Sequence, residues 1–361
     1  MGQAAVPSVN RTRGLARPME HIMSREHPLV SVIIPSYNRS DVLRLCLAAV
    51  EEQTYPYIEV IVVDDCGTED VAQVAAAKGA KVVRTKVNGG PTPARNLGAE
   101  HATGEILFFL DADIALDPDA VENAVRVLDA HPRIGALGGI LRPESLVSQS
   151  LASQYRALQM HRWWMPAHRP TLELHAAVLA VPAKVFAEVG PFDPRLRETV
   201  SSDYRVRVTR SYQVKLSDAI RGRKDHDATV RTILRKVFRR ARMSALDWRK
   251  GETPGDSVPR AIGGVLLLAA VPALALPLVL PAAAGRAGAL VSPALVAAAM
   301  ALDAGTYRFA CTQRGLAFGL YFSGVHLAVT FTGALGGAVG VLEGFALTRL
   351  EKPARILAGQ D

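Results

Sequence analysis

Short apolar runs alternate with amphipathic stretches along the first third of the chain. The run Val30-Ser-Val-Ile-Ile-Pro35 predicts a buried strand, and the next stretch, SDVLRLCLAAVEEQ, has apolar residues at helical spacing with Ser40 as a candidate N-cap. Three more apolar runs predict strands at residues 58–63, 80–85 and 105–110. Helices are predicted between them, one capped by Thr68 and running through Ala77, and one capped by Thr92. This alternation predicts an α/β fold, with a mostly parallel sheet and helices on both faces.

Acidic residues directly follow two of these predicted strands. Asp64 and Asp65 follow the second strand, and Asp111 and Asp113 follow the fourth. Neighbouring carboxylates repel each other and are costly to desolvate, so they need hydrogen-bond donors, a cation or water. Ligands of parallel sheets bind beyond the carboxyl ends of the strands. The four carboxylates therefore predict a site for a divalent cation and a polar ligand at one edge of the sheet.

The pattern changes near residue 255, beyond which charges become rare. Residues 261–284 contain no charged side chain and are long enough to cross about 30 Å of hydrocarbon. Residues 287–302 form a shorter apolar run, and residues 316–342 are again long enough. Two or three membrane segments are expected, with a buried helical bundle as the alternative. Prolines in the first segment, at 272, 277 and 281, favour kinks or a re-entrant path.

The formal net charge of +8 is concentrated just before the apolar part. Residues 221–250 carry many Lys and Arg side chains against Asp225, Asp227 and Asp247. Such a stretch is typical of a solvated basic helix, a nucleic-acid surface or a segment at an anionic membrane. Its position before apolar segments favours the membrane reading, on the cytoplasmic side. We therefore expect membrane lipids as partners and no nucleic acid.

The N-terminal residues and the cysteines bear on secretion and on the redox compartment of the protein. Residues 1–28 lack the apolar core of a secretory signal and predict a flexible leader. Cys46, Cys66 and Cys311 have neither metal-ligand spacing nor a disulfide framework, which suits a reducing compartment for the front domain.

Four motifs, in order, carry a family resemblance: VSVIIPSYNR, VIVVDDCGTED, GGPTPARNLG and ILFFLDADI. Together they resemble family 2 glycosyltransferases of the GT-A fold, a Rossmann-like α/β fold, over about residues 29 to 245. The resemblance implies a nucleotide-diphospho-sugar donor, a Mg²⁺ or Mn²⁺ cofactor and inversion at the anomeric carbon. No Walker A loop and no G-x-G-x-x-G follows a predicted strand, which argues against ATPase and dinucleotide-binding functions.

The resemblance also implies roles for the matched residues. Asp111 and Asp113 match the acidic motif that holds ribose and metal, and a divalent ion there would neutralise the leaving diphosphate. Pro35 and Tyr37 match residues that line the nucleoside, Asp64 or Asp65 matches an acceptor from the base, and Arg95 matches an arginine near the diphosphate. The expected nucleotide-sugar-binding residues are thus Pro35, Tyr37, Asp64, Asp65, Arg95 and Asp111.

An inverting transfer also needs a general base for the acceptor hydroxyl. The stretch VGPFDPRLRETVSSDYRVRV resembles the segment that ends in the family's Glu-Asp base motif, with Ser202-Asp203 at that place. Asp203 is therefore the expected catalytic base, and a surface ion pair with Arg205 or Arg207 is the alternative. His226, in KDHDATV, matches a histidine often found after the base. It is a candidate for the metal or diphosphate, or else a plain surface histidine.

One further motif is set aside. Residues 159–163, QMHRW, spell the acceptor-side Q-x-x-R-W of processive polysaccharide synthases, but they precede Asp203 instead of following it. We interpret the match as a coincidence. The neighbouring Trp163 and Trp164 are expected to cover an acceptor cleft or to touch the bilayer interface.

These observations predict a leader at 1–28, a GT-A domain at 29–225, basic juxtamembrane helices at 226–256, a transmembrane region at 257–347 and a tail at 348–361. The expected function is that of a multi-pass, membrane-anchored inverting glycosyltransferase of the cell membrane, with its catalytic domain in the cytoplasm. Its acceptor would be lipid-linked or membrane-proximal, in cell-surface glycan or glycolipid synthesis. The alternatives are a polyprenyl-phosphate glycosyltransferase and a non-catalytic nucleotide-sugar-binding scaffold.

Overall fold

A computed structural model describes residues 27–165, 174–196, 199–248, 258–279 and 287–357. Several predictions therefore lie wholly or partly outside the described residues. They are the leader up to residue 26, the end of the basic segment at 249–256, the end of the first membrane segment at 280–284, and residues 358–361 of the tail.

The front part of the chain folds around one mixed sheet of eight strands. Their spatial order is β3-β2-β1-β4-β7-β6-β8-β5. Strand β1 pairs in parallel with β2 and β4, and β2 pairs in parallel with β3. Strand β6 is parallel to β8, and β7 runs antiparallel to both β4 and β6. The strands are β1 (Val30–Ser36), β2 (Ile58–Asp64), β3 (Lys81–Arg84), β4 (Ile106–Leu110), β5 (Ile114–Leu116), β6 (Ile134–Ser145), β7 (Val178–Pro182) and β8 (Gln213–Lys224).

The mostly parallel α/β sheet predicted from the sequence is confirmed. The described residues of this part form the helices α1 (Ser40–Glu51), α2 (Val71–Ala76), α3 (Pro91–Glu100), α4 (Ala120–Ala130), α5 (Leu151–Trp164), α6 (Ala183–Val189), α7 (Val200–Val208) and α8 (Val230–Trp248). Four more follow: α9 (Val258–Ala273), α10 (Leu276–Val279), α11 (Val291–Leu302) and α12 (Ala304–Leu357).

Both faces of the sheet are covered, as the continuous apolar runs require. Neighbouring residues of β4 point to opposite faces, and Phe108 and Phe109 belong to different core clusters. On one face, α3 approaches β1 so closely that a side chain at Gly98 would collide with Ile33. The strand ends are thereby held by packing on both sides, which fixes the positions of the residues that follow them.

The start of α2 differs from the prediction. Thr68 was the predicted cap, but the helix begins after Asp70, whose side chain accepts a hydrogen bond of 2.9 Å from the backbone N–H of Gln73. Thr68 instead contacts Asn38: its backbone N–H donates to Asn38 Oδ1 over 2.7 Å. Thr68 therefore bonds Asn38, which is distant in sequence, and Asp70 caps the helix instead.

The basic segment 230–248 forms one helix, α8, which packs along α12. Two glycines of α12 permit this approach, because side chains at Gly336 and Gly340 would meet the backbone of Phe238 and Arg242. Arg242 Nε also lies 2.6 Å from Glu343 Oε2. Helix α12 is interrupted at Gly315, whose φ of +82° favours glycine.

Two helices are long and apolar enough to be candidate membrane spans, judged by length and composition only. The most apolar 18-residue window has a mean hydropathy of 2.4 in residues 261–279 and of 1.7 in residues 304–346. A shorter apolar helix, Val291–Leu302, lies between them. The apolar C-terminal helices that were predicted are therefore present. Helix α5 also contacts this region, through Tyr155 and Leu158 against Phe322 and its neighbours on α12.

Candidate active site

The carboxylates after β4 form a charged cluster with two cations. Arg95, in the first turns of α3, places Nη2 2.5 Å from Asp111 Oδ1. Lys224, the last residue of β8, places Nζ 3.2 Å from Asp111 Oδ2 and 2.5 Å from Asp113 Oδ1. The register explains this meeting, because β5 pairs with β8 so that Ile114 lies opposite Lys224. Two strands and a helix thus bring their charges to one sheet edge.

These contacts change the acidity of the two aspartates in opposite directions. Burial alone would raise the pKa of Asp111, but the Lys224 and Arg95 cations outweigh it and lower that pKa to about 2. Burial raises the pKa of Asp113, with Lys224 opposing it and the charge of Asp111 adding to it. Burial also lowers the pKa of Lys224, but Asp113 and Asp111 outweigh this effect and raise it. Lys224 is therefore a charged ammonium that neutralises the pair.

The adjacent aspartates after β2 shape loops. Asp65 is 2% exposed, and its carboxylate accepts from Thr85 Oγ1 (2.9 Å), the Gly89 N–H (3.1 Å) and the Gly90 N–H (2.7 Å). Asp64 accepts from the Gly67 N–H over 2.9 Å and lies 3.0 Å from Arg84 Nη1. Donors from the protein thus compensate for the burial of both carboxylates.

A cavity of about 500 Å³ opens at the Asp111–Lys224–Asp113 cluster. Its walls come from the sheet edge, from α5 and from α8. The charged or titratable lining residues are Arg39, Asp111, Asp113, Arg156, Lys224, Asp225, His226, Asp227, Lys236 and Arg240. A cavity lined by this many charged side chains, of both signs, suits a polar, anionic ligand that contains a phosphate.

His226 faces this cavity with a neutral imidazole ring, which can accept or donate a hydrogen bond. It is 5% exposed, and its Nε2 has no hydrogen-bond partner among the described residues. Burial, together with the nearby Lys224 and Arg156 charges, lowers the pKa of His226 to about 3. The alternative of a plain surface histidine does not agree with this burial.

The donor set can be tested against the divalent cation that the resemblance implies. Among the described residues, no group of three Asp, Glu, His or Cys side chains converges closely enough to hold a metal by itself. Mg²⁺ and ions like it are commonly held by one or two carboxylates together with substrate phosphates and water. Asp111 and Asp113 provide these carboxylates, and the Lys224 ammonium already occupies a cationic position between them. The residues therefore fit a cation that arrives with a phosphate ligand and takes over the role of Lys224.

The other predicted site residues lie around this edge. Pro35 is in β1, next to Ser36, which pairs in register with Asp64. Tyr37 follows β1 and is 51% exposed. Neither residue is among the described residues that line the cavity.

Asp203, the expected base, lies in the first turns of α7. Its Oδ2 is 2.9 Å from Arg207 Nε, and this ion pair is the alternative role given to Asp203 above. Asp203 is not among the described residues that line the cavity. The start of α7 is nevertheless tied to the site. The Ala176 N–H donates to Ser201 Oγ over 3.1 Å, and the neighbouring Ala177 carbonyl accepts from the Asp111 N–H over 3.0 Å.

Lys224 and Arg156 are among the cavity residues that were not identified as site residues from the sequence. Lys224 was counted only as part of the basic segment, and Arg156 was not singled out at all. The signal for Lys224 lay in its position at the end of a strand two residues before His226. Arg156 has no local signal, because the packing of α5 on α12 decides its placement.

A comparison with protein-family models decides the class of the domain. Residues 31–180 match the model for glycosyl transferase family 2. The chain contains a family 2 glycosyltransferase domain. The match includes β1 to β4, both aspartate pairs and Arg95.

Curated relatives of this domain are known from several bacteria. An uncharacterized glycosyltransferase of Haemophilus influenzae is 36% identical over 107 residues, which is 29% of this chain and 36% of the relative. A putative teichuronic acid biosynthesis glycosyltransferase of Bacillus subtilis, TuaG, is 37% identical over 111 residues, 29% of this chain and 44% of the relative. The matched stretch thus spans less than half of either relative.

Among solved structures, a mannosyltransferase from Pyrobaculum calidifontis, in complex with GDP-Man and Mn²⁺, has the same fold. The TM-score is 0.53 at 21% identity, over 88% of this chain and 87% of that protein. The family 2 domain here therefore has the GT-A fold.

Proposed function

We propose that this protein transfers a sugar, with inversion, from a nucleotide-diphospho-sugar to a lipid-linked or membrane-proximal acceptor. The observation that carries the proposal is the Arg95–Asp111–Lys224–Asp113 cluster at the carboxyl edge of a family 2 glycosyltransferase domain. Such an edge is where α/β folds bind ligands, and the cluster opens into a cavity of suitable size and charge.

In this proposal the residues around the cavity have distinct tasks. Arg95 and Lys224 neutralise the diphosphate. Asp111 and Asp113 would hold a divalent cation, which would supply further charge neutralisation to the leaving group. His226 contributes a neutral ring nitrogen to the same anion or cation. Pro35, Tyr37 and the loops shaped by Asp64 and Asp65 bound the nucleoside.

Asp203 is the proposed general base. For this role its carboxylate must exchange Arg207 for the acceptor hydroxyl, and the contact of Ser201 with the Ala176–Ala177 strand end keeps it on the side of Asp111.

Membrane attachment is proposed from the C-terminal helices. The candidate spans at 261–279 and 304–346 and the basic helix α8 beside the second one favour a multi-pass cell-membrane protein with a cytoplasmic catalytic domain. The proposed divisions of the chain remain the leader, the GT-A domain to 225, the basic segment to 256 and the transmembrane region to 347.

A donor panel with the full chain in detergent tests this function. Release of nucleoside diphosphate is measured for each donor with Mn²⁺ or Mg²⁺, with and without lipid extract. The GDP-Man complex of the structural neighbour makes GDP-mannose the first donor to try. We expect metal-dependent release from one donor that rises with lipid extract and is lost in Asp113→Asn. Binding of a donor without release from any of them would instead favour the non-catalytic scaffold.

A further inference from the structure

Arg156 differs from other cations of the cavity in lacking an acidic partner. Lys224 pairs with Asp111 and Asp113, Lys236 Nζ lies 2.6 Å from Asp227 Oδ1, and Arg39 Nη2 lies 2.8 Å from Asp225 Oδ2. Within the described ranges, no carboxylate lies at ion-pair distance from Arg156. Among the described residues, its guanidinium donates a hydrogen bond to the Gln159 side chain and lies 5.9 Å from the ring centroid of Trp163. An arginine held in a cavity without a carboxylate is suited to an anionic ligand.

A chain of hydrogen bonds from α12 fixes how Gln159 meets Arg156. His326 Nε2 lies 2.8 Å from Asp303 Oδ2, and because a carboxylate only accepts, Nε2 carries the proton and Nδ1 is an acceptor. Gln159 Nε2 therefore donates to His326 Nδ1, over 3.0 Å, and also to Tyr155 Oη. The amide oxygen of Gln159 must then face Arg156, from which it accepts. Asp303 and His326 thus orient a cavity residue from the apolar helices.

The position of Arg156 indicates which substrate it meets. The adjacent Tyr155 packs on Phe322 of α12, with ring centroids 4.8 Å apart, so Arg156 belongs to the cavity wall that rests on a candidate membrane span. The Asp111–Lys224–Asp113 cluster comes from a different element, the sheet edge, in the same cavity. A phosphate near α12 would come from a lipid whose chain lies along the apolar helices.

We propose that Arg156 binds the phosphate of a lipid-phosphate or lipid-diphosphate acceptor, and that Gln159, His326 and Asp303 position it. This inference rests on the proposed function, because it assigns the acceptor end of the same cavity. It narrows the acceptor from any membrane-proximal glycan to a lipid that carries a phosphate.

The first test measures equilibrium binding of farnesyl phosphate, with farnesol as the neutral probe, to the full chain in nanodiscs. We expect Arg156→Met to weaken farnesyl phosphate binding by about 20-fold or more, the scale of a lost charge-assisted contact, and to leave farnesol binding unchanged. Arg162→Met is the matched control on α5, since Arg162 stacks 5.5 Å from the Phe309 ring centroid. Equal binding of both probes by the wild type, or an unchanged Arg156→Met, would overturn the inference.

A second arm separates the two sources of phosphate. Binding of the donor nucleotide with Mn²⁺ is measured in the same variants, and we expect it to change by less than about 2-fold in Arg156→Met. If donor binding weakens in parallel with farnesyl phosphate binding, the anion at Arg156 is the donor diphosphate, and the assignment to the acceptor is wrong.

A third arm tests the positioning residues. Asp303→Asn removes the constraint on the His326 tautomer, and we expect farnesyl phosphate affinity to fall about 5-fold while donor affinity and the melting temperature stay the same. If farnesyl phosphate affinity, donor affinity and the melting temperature all fall, Asp303 has a structural role alone, which would contradict the positioning role.

Failure of this inference is distinct from failure of the proposed function. Binding of farnesyl phosphate through Arg156 without nucleotide release from any donor would reject the transferase and keep the lipid-phosphate site. Transfer at the wild-type rate by Arg156→Met would keep the transferase and reject the assignment of Arg156.

Discussion

The sheet edge and the helical layer build the same cavity by different means; in that layer, α5 and α8 line the cavity and rest on α12. At the sheet edge, strands end in a fixed order and their carboxylates meet cations that arrive on neighbouring elements, as Asp113 and Lys224 do. In the helical layer, residues from distant parts of the chain meet only because whole helices pack together, as Gln159 and His326 do. The edge therefore depends on backbone register, whereas the layer depends on close helix packing.

The largest expected effect concerns the sheet side. Asp203→Asn should lower kcat by about 10²-fold to 10⁴-fold, because the acceptor hydroxyl loses its general base, and should leave donor affinity unchanged. Transfer assays under saturating donor measure this effect, with Arg207→Lys as the variant that keeps the cation of the pair. Retained turnover in Asp203→Asn would remove Asp203 from the catalytic role.

The helical layer is tested by its glycines. Gly336→Val should lower the free energy of unfolding by about 3 kcal/mol, because the new side chain meets the Phe238 backbone and separates α8 from α12. Gly337→Val is a matched control, because a side chain there meets nothing within 4 Å. Thermal unfolding and proteolysis of α8 are the measurements, and equal results for both variants would contradict the proposed packing.

The charge balance at the edge predicts an effect that a cation reverses. Lys224→Met should lower the free energy of unfolding by about 2 kcal/mol, less than the loss of a fully buried pair, because the Asp113 side chain is 36% exposed. Mn²⁺ should restore more of this stability in the variant than it adds to the wild type, since it replaces the missing cation.

Lys236→Met, which breaks the pair with Asp227 in the same cavity, is the control for this measurement. Melting temperatures with and without Mn²⁺ distinguish the two variants. The same response to Mn²⁺ in both would contradict a cation position at Lys224.

The smallest expected effect concerns the start of α2, where Asp70 caps the helix and Thr68 contacts Asn38. Asp70→Ala should cost about 1 kcal/mol through loss of the cap on α2, and Thr68→Ala should cost less, because its contact with Asn38 runs mainly through its backbone N–H. Chemical denaturation of both variants gives the comparison. A larger loss in Thr68→Ala would favour the cap predicted from the sequence.

The sequence predicted the sheet side well because each of its signals is local. The first four strands and the carboxylates at their ends follow from apolar runs and turns. Arg95, which the family resemblance singled out, contacts Asp111. Lys224 was missed because its partners lie more than 110 residues away, across the β5–β8 pairing. Arg156 and His326 were missed for the same reason: nothing near them in sequence records that α5 rests on α12.

The adjacent aspartates, Asp64 and Asp65, show the limit of a resemblance. Both Asp64 and Asp65 lie at the predicted edge, but their oxygens already accept from protein donors such as Thr85 and Gly90. Pattern matching gives the place of a carboxylate, and only the packed structure gives the number of its remaining acceptor positions.

The most direct test of the central claim is Mn²⁺ binding by the full chain, followed by electron paramagnetic resonance, with and without a nucleoside diphosphate. The account predicts that wild-type protein binds Mn²⁺ tightly only when the nucleotide is present, that Asp113→Asn loses this binding, and that Asp218→Asn, at an exposed residue on β8, retains it. Nucleotide-dependent Mn²⁺ binding that is the same in Asp113→Asn as in the wild type would contradict the assignment of the Asp111–Lys224–Asp113 cluster as the donor site.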